Sequence, residues 1–185
     1  MMKKFLLFVS ISFIVVTFQA QNKKTDKIKE TEKDYTENVL TLDSTINSLY
    51  AVISGEKEEK RDWILFKFLF YPDAQLIASG KNDEGKLQVR YMKPDDYIKS
   101  SGKWLVENGF FEKEIHRTVD TFGNMTHVFS TYESFRNEQD EVPFMRGINS
   151  IQLLNDGTRW WIVNIYWSQE TKRNLIPQEY LPHGQ

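Results

Sequence analysis

Apolar residues recur at helical spacing in the first half of the chain. The pattern predicts a first helix over residues 42–53, with Thr41 or Asp43 as its N-cap and Gly55 after its end. Residues 61–71 are apolar on nearly every side, which is typical of a helix that neighbouring elements enclose. The first 71 residues therefore predict two helices that contribute to a core.

A short strand pair and a third helix are predicted next. Residues 74–78 form a short apolar run, and Leu87, Val89 and Tyr91 alternate with polar residues as in an exposed edge strand. A third helix is predicted over residues 94–108, because it starts with a proline followed by two aspartates. Proline suits the first helical turn, and acidic residues there interact favourably with the helix dipole.

From residue 110 onward, the apolar period changes from helical spacing to strict alternation, which predicts strands. Residues 110–121 and 126–136 form a predicted hairpin around Gly123-Asn124. Residues 144–169 form a second, longer hairpin, and Asp156-Gly157 suits the positive φ values of a two-residue type I′ loop. The second half therefore predicts four long antiparallel strands.

The N-terminus has the layout of a secretory signal peptide. Lys3 and Lys4 precede an apolar run over residues 5–18, and Ala20 is the predicted cleavage point. The run is too short to span a bilayer core of about 30 Å comfortably, although an uncleaved anchor is the alternative. We therefore expect an exported protein, secreted or periplasmic, with no membrane attachment after cleavage.

The sequence divides into four segments on this basis. Residues 1–20 are the signal peptide, and residues 21–40 are a charged linker rich in Lys, Glu, Asp and Thr. Residues 41–170 form one domain, and residues 171–185 form a C-terminal tail that we expect on the surface. Cleavage after residue 20 would leave 165 of the 185 residues, which is enough for one domain with a substantial core.

The composition argues against several classes of partner. The chain has no cysteine, so an exported form must be stabilised by burial rather than by disulfides. The formal net charge changes from −2 to −4 when Lys3 and Lys4 are removed, which argues against nucleic acid or an anionic membrane as a partner. Aromatic residues make up 14% of the chain, more than a small core requires, so we expect some of them to line a cavity.

Two helices, a strand pair, a helix and four long antiparallel strands make an α+β layout. Within this order, three segments resemble the nuclear transport factor 2-like superfamily, and most of all its polyketide-cyclase-like and ketosteroid-isomerase-like branches. The segments are Phe70-Tyr71-Pro72-Asp73-Ala74, Arg146-Gly147-Ile148-Asn149 and residues 155–163. The resemblance covers residues 42–168 and implies a cone-shaped, curved antiparallel sheet wrapped around three N-terminal helices. It also implies a pocket between the helices and the concave sheet face, but this fold hosts many functions.

The two hairpin turns predict which side chains face the pocket. A two-residue loop at Asp156-Gly157 places Ser150 opposite Val163, and a loop at Gly123-Asn124 places Ile115 opposite Tyr132. We assign the more apolar face of each hairpin to the concave side, although a slip of one residue would invert the assignment. The resulting candidates for ligand binding are Arg117, Ser130, Tyr132, Arg146, Ser150, Gln152 and Trp167.

Structural roles are the alternative for most of these residues. The serines and Gln152 could satisfy buried hydrogen bonds, and the two arginines could pair with acidic residues at the rim of the cone. A few polar groups among many apolar ones are nevertheless the usual composition of a site for a small molecule.

The sequence predicts no catalytic residue. The resemblance to ketosteroid isomerases implies a general-base carboxylate five residues after Asp73, where this chain has Ala78. Asp120 opposite His127 is the one acid-base pair that the predicted register forms, and we expect it, with His116, on the outer face. Motifs for metal ions, phosphate loops and nucleophile elbows are absent from the sequence, so no cofactor or metal is predicted.

Three functional hypotheses are compatible with these predictions. The first is an exported, non-catalytic domain that binds a small apolar or aromatic molecule in the cone. The second is an isomerase, dehydratase or cyclase, which requires a carboxylate or histidine with a perturbed pKa inside the cone. The third is a structural or protein-interaction module. Homodimerisation through the outer sheet face is expected in each case, because Trp160, Ile162 and Tyr166 are predicted to form an apolar band there.

Overall fold

The computed structural model describes residues 33–82 and 84–182. The predicted signal peptide and residues 21–32 of the predicted linker lie outside the described residues. Residues 33–40 belong structurally to the domain, because Thr36–Val39 forms a 3-10 helix and Val39 is buried. Within the described ranges, none of the helices has the length and apolar character that a membrane crossing requires.

Three α-helices form on the concave side of a sheet. They are α1 (Leu42–Ile53), α2 (Trp63–Leu69) and α3 (Pro94–Asn108), close to the predicted bounds. Thr41 caps α1, since its hydroxyl accepts the backbone N–H of Ser44 at 2.9 Å and the Ser44 hydroxyl accepts the backbone N–H of Thr41 at 3.1 Å. This reciprocal pair selects Thr41 over Asp43 as the N-cap.

Six strands form one curved sheet. The strands are β1 (Phe70–Lys81), β2 (Leu87–Met92), β3 (Phe111–Phe122), β4 (Met125–Phe135), β5 (Met145–Asn155) and β6 (Trp160–Gln169). Their order is β2-β1-β6-β5-β4-β3, and all neighbours are antiparallel except β1 and β6. The sheet is therefore mixed rather than purely antiparallel. The α+β cone that the sequence predicts is confirmed, and β2 is an edge strand as expected.

A β-bulge at Ile115 changes the predicted register of the first hairpin. Near the turn, Arg117 pairs with Ser130 as expected, but Tyr132 pairs with Glu114 instead of Ile115. The extra residue rotates the first half of β3 by one position, as bulges do. Consequently Glu114, together with Glu112, shares the concave face with Tyr132, although strict alternation predicts both glutamates on the outer face.

The loop of the second hairpin has four residues rather than two. Asn155 pairs with Trp160, and the carboxylate of Asp156 accepts the backbone N–H groups of Thr158 and Arg159 at 2.8 and 2.9 Å. The prediction of a type I′ turn at Asp156-Gly157 is therefore wrong, because the aspartate side chain organises a wider loop.

A second bulge, at Val163 in β6, completes the change of faces. In β5, the concave face carries Asn149 and Ile151 instead of Ser150 and Gln152, because the bulge pairs Asn149 with Trp167, whereas strict alternation places Trp167 on the same face as Ser150 and Gln152. The wider loop shifts the pairing by two residues and leaves the faces unchanged. In β6, the bulge keeps Trp167 on the concave face as predicted and also turns Ile162 inward.

The predicted apolar band on the outer face does not form as expected. Ile162 is fully buried in the core and Trp160 packs against the core, so only Tyr166 of the three is exposed on the outer face. The C-terminal tail covers another part of this face. The Thr131 hydroxyl donates to the backbone carbonyl of Tyr180 at 2.7 Å, and the Tyr180 ring lies 5.0 Å from that of Phe129.

Candidate functional site

A cavity lies between the helices and the concave face of the sheet and encloses about 250 Å³. That volume is slightly below the usual range for ligand pockets, so it suits a small molecule. Most of its wall is apolar and comes from α1, α2, α3 and strands β1 and β6: Leu49, Ile53, Phe66, Leu76, Leu105, Ile165 and Trp167. The polar residues of the wall are Tyr97, Ser101, Glu112, Tyr132, Asn149 and Gln169.

Glu112 is the acidic residue in the cavity wall. Its carboxylate accepts hydrogen bonds from the Ser134 hydroxyl at 3.2 Å and from the Asn149 amide at 3.3 Å. Within the part of the chain that the structure describes, no arginine or lysine pairs with it. Burial raises the pKa of Glu112 from 4.5 to about 7, and the two hydrogen bonds offset part of that rise. Both protonation states are therefore populated near neutral pH.

Two tyrosines in the cavity wall supply hydroxyl groups near this carboxyl. Burial, and secondly the charge of Glu112, raise the pKa values of both Tyr97 and Tyr132, so both phenols stay protonated at neutral pH. The Tyr97 ring stacks on Phe66 at 5.4 Å and meets Trp167 edge-on at 6.5 Å, which fixes its position. Neutral phenols can donate hydrogen bonds to an oxygen atom of a bound molecule.

Asn149 joins the cavity to a buried polar network under α1. Its side-chain amide donates to the Tyr50 hydroxyl at 3.1 Å as well as to Glu112, and the Tyr50 hydroxyl lies 2.7 Å from that of Ser130. Ser130 in turn donates to Glu114. Because both amide hydrogens of Asn149 are engaged, its orientation is fixed. The network therefore holds the amide against Glu112.

Two of the seven residues predicted as ligand contacts line the cavity, namely Tyr132 and Trp167. Ser130 faces inward as predicted but belongs to the polar network and does not line the cavity. Arg117 pairs with Glu114 and, at 2.8 Å, with Asp43. This ion pairing is the structural alternative that the sequence left open for Arg117.

The predicted inward orientation of Arg146, Ser150 and Gln152 is wrong, because the bulge in β6 pairs Trp167 with Asn149, and the opposite face of β5 is therefore the concave one. Arg146 donates to Glu170 at 2.7 Å, and the Ser150 hydroxyl lies 2.8 Å from Nε2 of His127 on the outer face. Gln152 is exposed. None of these three side chains reaches the cavity.

The histidine-containing pair also lies outside the cavity. Asp120 and His127 are opposite each other as predicted, on the outer face of the first hairpin, and His116 shares that face. Acid-base chemistry inside the cone therefore depends on Glu112. Among residues 33–82 and 84–182, no group of three or more histidine or acidic side chains is arranged to hold a metal ion.

Sequence reasoning missed Glu112, Asn149 and Tyr97 as residues of the cavity wall. Glu112 and Asn149 were missed because strict alternation does not anticipate the bulges at Ile115 and Val163. The sequence around Ile115 contains no glycine or proline that would mark a bulge. Tyr97 lies on the buried side of α3. Its spacing among the apolar residues of that helix predicts a core residue as well as it predicts a residue of the cavity wall.

The sequence alone matches no protein-family model, and no curated protein matches it significantly. Solved structures of similar fold do exist. One is a protein of unknown function with a cystatin-like fold from Nostoc punctiforme, with a TM-score of 0.52 and 9% identity over 69% of this chain and 87% of that chain.

Two further solved structures are similar. A protein from Novosphingobium aromaticivorans, provisionally described as a scytalone dehydratase, has a TM-score of 0.52 and 12% identity over 77% of this chain and 91% of that chain. An NTF-2 like protein of unknown function from Silicibacter pomeroyi has a TM-score of 0.48 and 15% identity over 70% of this chain and 92% of that chain. At these identities the likeness concerns the fold. The shared fold is the α+β cone that the resemblance to the nuclear transport factor 2-like superfamily implies.

Proposed function

We propose that the cone binds a small, mainly apolar molecule and that Glu112 transfers a proton to or from it. The observation that carries this proposal is a half-buried carboxyl group in the wall of an apolar cavity, with a pKa raised to about 7. A group with this pKa can act as acid or base at neutral pH, which is the condition for efficient general acid-base catalysis.

The other polar groups of the wall suit a reaction in which negative charge develops on oxygen. Tyr97 and Tyr132 carry hydroxyl donors on the cavity wall, and an enolate or alkoxide oxygen would accept from them. Isomerisation of an enone and dehydration of a β-hydroxyketone both pass through such a state. We therefore favour the second hypothesis, an isomerase or dehydratase, over a purely binding domain.

Solvent deuterium exchange tests this proposal directly. Small cyclic ketones, enones and β-hydroxyketones would be incubated with the protein in D₂O, and deuterium at the carbon next to the carbonyl would be followed by NMR. We expect exchange above the uncatalysed rate, and a loss of about 100-fold or more in Glu112→Gln, because general-base catalysis contributes about that much. Glu133→Gln is the matched control, since Glu133 lies on the outer face near Arg146.

The outcomes separate the hypotheses. Binding of these compounds without exchange would support the non-catalytic binding domain and contradict the role of Glu112. Equal exchange rates in the wild type and in Glu112→Gln would also contradict it. If the compounds neither bind nor exchange, the ligand-binding role of the cone is contradicted for this class of molecule.

We also propose that the protein is exported and forms a homodimer through its outer sheet face. The charged and apolar pattern of residues 1–20 supports export. Exposed apolar residues on the outer side of β2 and β6 support self-association, because Tyr91, Val89 and Tyr166 remain open to solvent there.

A further inference from the structure

We propose that Arg136 binds a carboxylate group of the molecule that occupies the cone, so that the natural ligand is an apolar or aromatic acid. This inference rests on the proposed function, since it names the class of molecule for the same cavity. It assigns a specificity role to a residue outside the polar groups of the cavity wall.

Arg136 is held beside the open end of the cavity. Its guanidinium carbon lies 4.6 Å from the centre of the Trp104 ring and 4.2 Å from that of Phe144. Trp104 lines the cavity and is also 41% exposed, so it lies where the cavity meets solvent. Phe110, another lining residue, has its ring 6.3 Å from those of Trp104 and Phe144. The guanidinium is therefore part of an aromatic cluster at this opening.

The guanidinium of Arg136 has unused hydrogen-bond donors. Its Nη1 is buried without an acceptor. The Arg136 side chain forms no hydrogen bond or ion pair with a described residue. Other buried or half-buried arginines of the described chain all donate to a carbonyl or carboxylate oxygen: Arg61, Arg117, Arg146 and Arg159. The Nε and Nη2 atoms of Arg136 form no hydrogen bond to a described residue either, so these two nitrogens are available to an acceptor that the ligand brings.

The aromatic rings keep the guanidinium in place for such a ligand. Contact between a guanidinium and ring faces is attractive, and it restricts a side chain that would otherwise be flexible. The planar N–H groups of arginine match the two oxygens of a carboxylate in a bidentate arrangement. A single guanidinium thus suits a single carboxylate.

Arg136 and Glu112 can act on different parts of one molecule. Arg136 directly follows the last residue of β4 and comes two residues after Ser134, which donates to the Glu112 carboxyl. Two residues of chain span at most roughly 7 Å, so the backbone of Arg136 lies within about that distance of Ser134. A ligand with its carboxylate at Arg136 would therefore place its apolar body, and not its charge, against Glu112.

Matched pairs of acids and neutral amides test this inference. The pairs are 3-phenylpropanoate and 3-phenylpropanamide, 3-cyclohexylpropanoate and its amide, and 1-naphthylacetate and its amide, titrated into the purified protein by calorimetry. We expect the acid of at least one pair to bind about tenfold or more tightly than its amide, because hydrogen bonds to charged groups are the stronger ones.

Three variants complete the test. Arg136→Met should abolish the preference for the acid while amide binding persists, and Arg136→Lys should retain part of the preference because the charge is kept. Arg90→Met, at an exposed arginine of edge strand β2, should leave the preference unchanged. Persistent amide binding in Arg136→Met shows that the variant still folds.

Each outcome decides between the two proposals. Equal binding of acids and amides by the wild type would overturn the role of Arg136 and leave the apolar cone in place. A preference that survives in Arg136→Met would overturn that role too. If no acid and no amide binds, the binding function of the cone fails, and the inference about Arg136 fails with it.

Discussion

At the scale of single residues, the protein places an ionisable group where ionisation is unfavourable. Glu112 lies in the wall of an apolar cavity, and among the described residues its side chain has two neutral hydrogen-bond donors as partners. Its ionised form therefore loses hydration without gaining an ion pair, which is why burial raises its pKa to about 7. A residue that destabilises the fold at neutral pH is most easily explained by a functional role.

Stability should depend on pH through this residue. The pKa of Glu112 is raised from 4.5 to about 7, so the folded protein holds the proton over a pH range in which the unfolded chain releases it. The free energy of unfolding therefore decreases as the pH rises from about 4.5 to about 7, by about 3 kcal/mol for this group. Glu112→Gln cannot ionise and should lack this contribution.

Urea denaturation of the wild type and Glu112→Gln at pH 4 and pH 8 measures the difference. From pH 4 to pH 8, the free energy of unfolding of the variant should increase relative to that of the wild type by up to about 3 kcal/mol. The same difference between the two proteins at both pH values would show that Glu112 has an ordinary pKa.

At the scale of elements, two β-bulges determine which residues reach the cavity. Helix bounds, the strand order along the chain and the edge position of β2 could be predicted from apolar periodicity and capping residues. The side-chain faces could not, because each bulge adds one residue without a sequence marker and reverses all positions beyond it. The bulge at Ile115 thereby brings Glu112 to the concave face, and the bulge at Val163 places Asn149 on the same face as Trp167.

The candidate site was therefore predictable only in part. Tyr132 and Trp167 line the cavity, as their predicted inward orientation requires. Arg146, Ser150 and Gln152 lie on the outer face of β5, because the bulge in β6 places Trp167 with Asn149 instead. The chemical group that defines the site, the carboxyl of Glu112, depends on three-dimensional pairing that periodicity does not encode.

Gly147 in β5 lies close to Tyr132 in β4, so a larger residue at position 147 should disturb the packing of the sheet. A Cβ atom added to Gly147 would lie 2.5 Å from the Tyr132 hydroxyl and 2.6 Å from the backbone carbonyl of Ser168. Gly147→Ala should therefore move Tyr132 or separate β5 from β6, at a cost of about 1–3 kcal/mol. Thermal denaturation would measure the loss.

Gly80→Ala is the matched control, because Gly80 also lies in a strand and a Cβ atom there would meet no atom within 4 Å. We expect its stability to equal or exceed that of the wild type. A Gly147→Ala protein as stable as Gly80→Ala would contradict the close packing of β5 against Tyr132.

At the scale of the whole domain, the two faces of the sheet are used differently. The concave face forms the cavity with the helices, whereas the outer face is covered at Thr131 and Phe129 by the C-terminal tail. The outer side of β2 stays open, with Val89 at 47% and Tyr91 at 67% exposure. The open part is the surface that we propose for homodimerisation.

Light scattering at micromolar concentration tests the homodimer. We expect the mass of a dimer for the wild type and of a monomer for Tyr91→Glu, because the substitution places a charge in the proposed interface. Phe122→Glu is the control, since Phe122 is 83% exposed but lies on β3, at the opposite edge of the sheet. A monomeric wild type, or a dimer that persists in Tyr91→Glu, would contradict this interface.

The proposed chemistry requires a carboxyl group in the cone that exchanges its proton near neutral pH. Carbon-13 NMR of protein labelled at the glutamate carboxyl carbons measures this directly, with Glu112→Gln to assign the resonance. We predict one glutamate resonance that titrates with a pKa of about 7 and is absent from the variant. If every glutamate resonance instead titrates near the ordinary value of about 4.3, Glu112 cannot serve as the proton donor and acceptor of the cone.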